Sequence, residues 1–431
     1  MSAALERELE TARAQVGRGD LAAASASYAR ALALAPDQPE ALSFLGVQAL
    51  NAGHERRALE LLARAVEIEP ANAQYRYNAG FAYLSAGRLD EARRELAETV
   101  ALAPKLHPAR LHYARTLEQL GREHEALVQY FAAINRAQAQ GRWLNDATTA
   151  PALRELVRYA MGYVDAGRRR VFDAVLAPFV ERHGEAALAR TRECLHMYLG
   201  DVPTRYADPR QKPKFLYFPG VPATTYYDRA LFPWYEELEA NTAAIRDELL
   251  AVMASDRGLE PFLGEHSVEQ VSHYLAGAEK AAWDAFFFYR HGERYDENCA
   301  RCPRTAALLD AMPLVRIREH APEVCFSVLT PGTHILPHRG VTNTRLVTHL
   351  PLIVPGDCAI NVGGELHAWE EGRCITFDDT FEHEAWNRST QTRVVMLLDV
   401  WNPHLTDVER DAVSMLVAAI GEFNREWEDL E

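Results

Sequence analysis

A marker that returns at a fixed interval leaves a chain few ways to fold, because each repeat must bury its apolar face against the next. In this chain Gly19, Gly53, Gly87 and Gly121 stand 34 residues apart; Ala24, Ala58, Ala92 and Ala126 each come five residues later; and Pro36, Pro70 and Pro104 keep the same step. Each residue type has a physical task. The glycine admits a tight turn between two helices, the small alanine lets those helices approach, and the proline stops the second helix. Segments such as ALSFLGVQALNAG and AQYRYNAGFAYLSAG carry apolar residues at helical spacing. The period predicts four helix pairs over residues 5–137, stacked into a solenoid whose concave side suits an extended peptide or protein.

After residue 137 the period is lost. Residues 138–205 still read as helices (ALRELVRYAMGYVDAG, RRRVFDAVLAPFVERHG) and are expected to cap the array and bridge to the C-terminal domain. From Lys212 onward proline and aromatic residues become frequent, and after Val324 short β-rich runs take over: VCFSVLT, TRLVTHLPLIVP, CAINV, RCITF and TRVVMLLDVW, separated by PGT, PGD, VGG and EEG. Short strands at this spacing pair antiparallel into a sandwich or jelly roll. AIRDELLAVMAS and DAVSMLVAAIGEFNREWEDL read as helices packed outside it. The fold class expected is α+β multidomain: an all-α repeat solenoid over 1–137, a helical region over 138–205, and a double-stranded β-helix (jelly-roll) domain over 206–431.

Bulk properties narrow the function. At 431 residues the chain can hold two cores. A net charge of −15, from 46 basic and 61 acidic residues, speaks against a nucleic-acid backbone as partner. The segment MSAALERELETARAQ has acidic residues where a secretory leader is basic, and no apolar run approaches membrane-spanning length. A cytoplasmic protein without a membrane partner is expected. Cys194, Cys299, Cys302, Cys325, Cys358 and Cys374 are too few for a disulfide scaffold and are expected as reduced thiols. Cys299-Ala-Arg-Cys302 lacks the second ligand pair of a structural zinc site and the βαβ setting of a redox motif.

The segment HILPHRGVTNTRLVTHLPLIVP, together with the later TFDDTFEHEAWNRSTQTRVVMLLDVW, concentrates the chemistry. His338 lies on an early strand and His383 45 residues later, a separation that fits opposite lips of a jelly roll. Two imidazoles there hold Fe(II) with coordination positions left open. Arg393, ten residues after His383, offers a bidentate fork to a carboxylate. The trio has the logic of an Fe(II)- and 2-oxoglutarate-dependent oxygenase using O2. Any one of the 16 histidines, taken alone, also reads as an ordinary core or surface residue.

Taken together, GTHILPHRGVTNTRLVTHLPL, WEEGRCITFDDTFEHEAWN and DVWNP closely resemble the aspartyl/asparaginyl β-hydroxylase family from Lys212 to Leu405, and the 34-residue repeat resembles the tetratricopeptide pattern. The first resemblance implies His338 and His383 as iron ligands, Arg393 on the distal carboxylate of 2-oxoglutarate, and Ser327 and His349 as further cosubstrate contacts. Most such oxygenases carry an acid two residues after the first histidine. Here that place is Gly340, a feature the family shares, and the vacancy leaves chloride chemistry open. Asp378 and Asp379 read as residues around the metal rather than as ligands. The family's second cosubstrate arginine is replaced by Val347, with Arg345 on the same strand face as a substitute. Ala278 and Ala285 stand where animal enzymes have polar residues on their peptide substrate. His334 and the turn Trp369-Glu370-Glu371-Gly372 read as structural.

The leading expectation is a dioxygenase that hydroxylates an Asp or Asn residue, at its β-carbon, in a peptide or protein delivered by the repeat array. Two alternatives remain: an oxygenase or halogenase acting on a small molecule, and a catalytically dead interaction scaffold.

Overall fold

A computed structural model describes residues 2–255, 257–264, 272–277 and 282–430. Ala278 therefore lies outside the described residues. Residues 1–170 with 423–431 form one compact unit and residues 171–422 another.

The first unit is built of helix pairs: α1 (Ala3–Gly17) with α2 (Leu21–Leu34), α3 (Pro39–Asn51) with α4 (Glu55–Ile68), α5 (Ala73–Ser85) with α6 (Leu89–Leu102), and α7 (His107–Gln119) with α8 (Glu123–Ala139). The repeat is legible atom by atom. Gly19, Gly53, Gly87 and Gly121 all have φ between 70° and 76°. Just past each of them the backbone N–H of Asp20, His54, Arg88 and Arg122 donates to the carbonyl of Gln15, Ala49, Tyr83 and Leu117, at 2.8 to 3.0 Å. A left-handed residue that closes a helix in this way is glycine's natural position. The four phased alanines are fully buried.

A second glycine pair, Gly46 and Gly80, marks close helix contacts: a Cβ at Gly80 would stand 2.7 Å from Leu96 Cγ, and one at Gly46 2.6 Å from Leu62 Cγ. The first part of α9 (Arg154–His183) covers α8, with Tyr130 and Tyr163 rings 5.2 Å apart. The end of α15 (Asp407–Glu428) covers it as well. Phe423 and Trp427 pack on Phe131 at 5.2 and 5.5 Å, and Arg110 and Arg136 donate to the Leu430 carbonyl at 3.0 and 3.1 Å. Residues read from sequence as the end of the β-rich region thus close the helical array.

In the second unit α10 (Ala189–Leu199), α11 (Tyr235–Ala240), α12 (Thr242–Ser255), α13 (Asp296–Arg301) and α14 (Pro303–Ala311) surround strands. The strands are β1 (Glu260–Pro261), β2 (Leu275–Gly277), β3 (Trp283–Arg290), β4 (Glu293–Arg294), β5 (Val324–Leu329), β6 (Thr333–His338), β7 (Arg345–Ile353), β8 (Cys358–Val362), β9 (Glu365–His367), β10 (Ile375–Phe377), β11 (His383–Asn387) and β12 (Arg393–Trp401). They form two antiparallel sheets, ordered β1-β3-β5-β12-β7-β10 with β4 on β3, and β2-β6-β11-β8-β9.

Alternation divides the larger sheet. Val394, Met396, Leu398 and Val400 join Phe286, Phe326 and Leu350 in a core covered by Leu238, Ile245 and Leu249 of α11 and α12. The opposite face contributes Val347 and Val395 to a core shared with Ile335, Ile360 and Ala385 of the smaller sheet. A sheet buried on both faces reads as nearly continuous apolar sequence, as RVVMLLDVW does. Among the described residues no helix is long and apolar enough to cross a membrane.

Gly80→Ala should destabilise the array by about 1–3 kcal/mol, because the added methyl has to displace Leu96 inside a packed pair. The urea midpoint of the full chain checks this, with Gly162→Ala as control, since a Cβ there meets nothing within 4 Å.

Candidate active site

Between the sheets lies a cavity of about 200 Å³. Its metal-binding candidates come from two adjacent strands. β6 ends on His338, β11 begins on His383, and the antiparallel register pairs the two residues directly. Their ring centroids are 4.1 Å apart. His338 Nδ1 lies 2.8 Å from the Leu336 carbonyl, and His383 Nδ1 3.1 Å from that of Phe381. A carbonyl only accepts, so each Nδ1 carries the proton and each Nε2 keeps a bare lone pair, the arrangement that ligating histidines adopt. Burial lowers both pKa values, that of His383 to about 4. Both rings are neutral at pH 7. Among the described residues no three or more His, Cys, Asp or Glu side chains gather into a metal cage.

Gly340 has a specific spatial reason. A Cβ at this position would overlap the carboxylate of Asp379. The acid that the sequence lacks at 340 is therefore replaced in space by one arriving from the turn before β11. Asp379 is buried, its Oδ1 has no protein partner, and its Oδ2 lies 3.2 Å from Arg345 Nη1. Asp378 faces elsewhere, taking hydrogen bonds from Gln211 Nε2 at 2.6 Å and Thr380 N at 2.9 Å.

At the other end Arg393, the first residue of β12, is 1% exposed. Its Nη1 reaches the Ser327 carbonyl at 3.3 Å and Oγ at 3.5 Å, its Cζ lies 4.8 Å from the centre of the Trp369 ring, and its Nε has no partner. Among the described residues no carboxylate pairs with it. Burial pushes its pKa down to about 10. His349, on β7 with an unpartnered Nδ1, faces the same cavity, and Ser327 Oγ accepts from Trp283 Nε1 at 3.0 Å. A buried lone guanidinium is unfavourable unless an anion completes it.

Arg345 does enter the cavity wall beside Val347. Its guanidinium is held by Asp399 Oδ1 at 2.9 Å as well as by Asp379. Ala285 is fully buried against Phe287 and Cys325. His334 stands outside the cavity, 2.8 Å from Glu384. All six cysteines are free and buried, and Cys299 and Cys302 do not line the cavity. Trp369 gains a place the turn reading missed, as the lid over Arg393. Glu323 and Asp399 were also missed, and only the inward alternation of β12 hints at Asp399.

The fold and site define a two-sheet antiparallel β domain with paired histidines and a lone arginine in its interior, joined to helical repeats. Residues 239–403 match the Aspartyl/Asparaginyl beta-hydroxylase family and residues 49–107 the tetratricopeptide repeat. The chain thus carries a stretch similar to that hydroxylase family beside one similar to tetratricopeptide repeats. The human aspartyl/asparaginyl beta-hydroxylase is 29% identical over 83% of this chain and 42% of its own length. Aspartate beta-hydroxylase domain-containing protein 2 of Xenopus tropicalis is 34% identical over 48% of this chain and 55% of its own. The ornithine lipid ester-linked acyl 2-hydroxylase of Rhizobium tropici is 36% identical over 41% and 60%. The chain thus spans less than half the length of the human relative.

Gly340→Ala should cost about 1–3 kcal/mol, because its methyl and the Asp379 carboxylate claim the same space. In an Asp379→Ala background the same substitution should cost less. A double-mutant cycle in urea measures the difference, and equal costs in both backgrounds would rule out the steric account.

Proposed function

We propose that this chain is an Fe(II)- and 2-oxoglutarate-dependent dioxygenase that hydroxylates an Asp or Asn side chain, at its β-carbon, in a peptide or protein. The observation that carries the reading is the juxtaposition in one cavity of two imidazoles with bare Nε2 atoms and a buried guanidinium lacking a carboxylate. His338 and His383 would hold the metal, and Asp379, which meets Arg345 through Oδ2, would offer its unpartnered Oδ1 to the same cavity as a hydrogen-bond acceptor. Arg393 would take the distal carboxylate of 2-oxoglutarate, with Ser327 and His349 beside it.

Bound there, the metal with O2 and 2-oxoglutarate would supply the oxidant, one oxygen atom going to the substrate C–H bond and the other to succinate as CO2 is lost. The chain's own part is placement and exclusion of water. Phe262 and Trp283, stacked at 3.9 Å, with Ile335 and Ile360, give the cavity dry walls. Arg345 lines the same cavity and is held by Asp379 and Asp399; its proposed work is to fix Asp379.

Halogenation loses ground because the space vacated at Gly340 is filled by a carboxylate, which repels chloride. The intact histidine pair and arginine speak against a dead scaffold. The repeat array is proposed to present the polypeptide, and the reaction is proposed to take place in the cytoplasm. A relative named as a lipid acyl hydroxylase keeps a small-molecule or lipid substrate as the second reading of the same site.

Arg393→Ala should raise the apparent 2-oxoglutarate requirement by a factor corresponding to about 2–5 kcal/mol, the usual loss for a buried charge-assisted pair. Succinate release against 2-oxoglutarate concentration measures it, and an unchanged requirement assigns the carboxylate to another residue.

His383→Ala should abolish succinate release and metal retention together. With the wild-type chain, intact masses of substrate should rise by about 16 Da whether or not chloride is present, as one inserted oxygen requires. A chloride-dependent rise of about 34 Da would instead mark chlorination while leaving the iron and cosubstrate assignments standing.

A further inference from the structure

The cavity has two chemically different ends, and the proposed cosubstrate site absorbs only one. At the other, Arg345 is the one cation of the lining among three acids in the described residues: Asp399 Oδ1 lies 2.9 Å and Asp379 Oδ2 3.2 Å from its Nη1, and Glu323 lines the same wall. The fold makes the arrangement rigid. Glu323 N donates to Asp399 Oδ2 at 2.9 Å, and Asp399 N donates to the Glu323 carbonyl at 3.1 Å. Directly opposite Asp399 on β7 stands Val347, an apolar residue where another cation would have restored the balance.

The remaining bases nearby do not restore it. Arg290 is paired with Glu260 at 3.0 Å. His291 Nδ1 lies 3.6 Å from Glu323 Oε1, but burial lowers its pKa and leaves it neutral at pH 7. Burial pushes the Glu323 carboxyl upward, and Asp399 up to about 6. Burial is the larger cause of both shifts and outweighs the opposing pull of Arg345.

We infer that this end of the cavity selects a non-acidic, hydrogen-bond-donating group, so that of the two residues allowed by the proposed function the chain oxidises asparagine in preference to aspartate. The inference rests on that reading for the opposite end of the cavity. An aspartate carboxylate would be a fourth anion at an end of the cavity whose arginine, Arg345, already serves two acids, and like charges so placed repel. A carboxamide meets no such penalty: its N–H2 donates to Glu323 and its oxygen accepts from Arg345. Glu323 is then the specificity-determining residue, being the acid on that wall with which Arg345 forms no direct ion pair.

The test uses the full chain with Fe(II) and 2-oxoglutarate. Two peptide libraries, identical except for a central Asn or Asp, are offered together, and oxygenated masses are counted after O2 is admitted. Hydroxylated Asn should exceed hydroxylated Asp by about tenfold or more, and Glu323→Gln should reduce that ratio by about tenfold, equivalent to about 1.4 kcal/mol. Equal or greater oxidation of Asp by the wild-type chain overturns the inference. So does an unchanged ratio in Glu323→Gln whose urea midpoint matches wild type.

If neither library is oxidised, dissociation constants of the two peptide pools for the Mn(II)- and 2-oxoglutarate-loaded protein decide: tighter Asn binding supports the inference, and equal or tighter Asp binding overturns it. Failure of Mn(II) and 2-oxoglutarate themselves to bind overturns the oxygenase reading instead.

Discussion

The pairing of β11 with β6 sets His383 opposite His338, and the chemistry available to the cavity depends on that register. Side chains on a strand alternate between faces, so a slip of one residue would turn the imidazoles away from the interior and bring their neighbours in. Several contacts hold the register. Ile335 and Ala385, from the same two strands, pack into the core between the sheets. At the far end of β11, Asn387 Nδ2 donates to the Leu329 carbonyl at 2.9 Å and to that of Gln391 at 2.8 Å, tying the smaller sheet to the larger. The same alternation on β12 turns Arg393, Leu397 and Asp399 toward the cavity while Val394, Met396 and Leu398 face the helices.

Charge is distributed unevenly inside this frame. Among the described residues, one end of the cavity holds a guanidinium with no acid, the other a guanidinium crowded by acids. Neither arrangement stabilises the fold in the manner of a matched pair, because desolvated charges without full compensation are unfavourable. Such groups are found where a protein has to be complementary to something it binds. The lone guanidinium suits a dicarboxylate, and the crowded end suits a group that brings no further negative charge.

The helical unit has a different logic, in which local geometry repeats and neighbours supply the core. Its last pair is covered by the first part of α9 and by residues 423–430. This closure joins two ends of the chain in one unit, and it could not be read from the repeat, because residues 423–428 merely continue α15 without a break. Its partners Arg110 and Phe131 bear no mark in the sequence that singles them out. Gly46 and Gly80 also keep the 34-residue step. Their meaning, close approach to Leu62 and Leu96, emerges only when the paired helix is in place.

What the sequence by itself determined is whatever is encoded locally: the repeat, through glycines at left-handed turns and alanines too small to hold helices apart; the strands, through alternating and continuous apolar runs; and the histidine–arginine trio, through spacing that matches a known motif. What only the tertiary structure decided is whatever depends on residues distant in the chain meeting in space. Asp379 fills the place left by Gly340 from a turn 39 residues away. Trp369 covers Arg393, and Glu323 and Asp399 surround Arg345 from two different strand ends. Charge complementarity is a sum over all neighbours regardless of their order in the chain, so the sequence supplies the candidate residues while the fold decides which charges surround them.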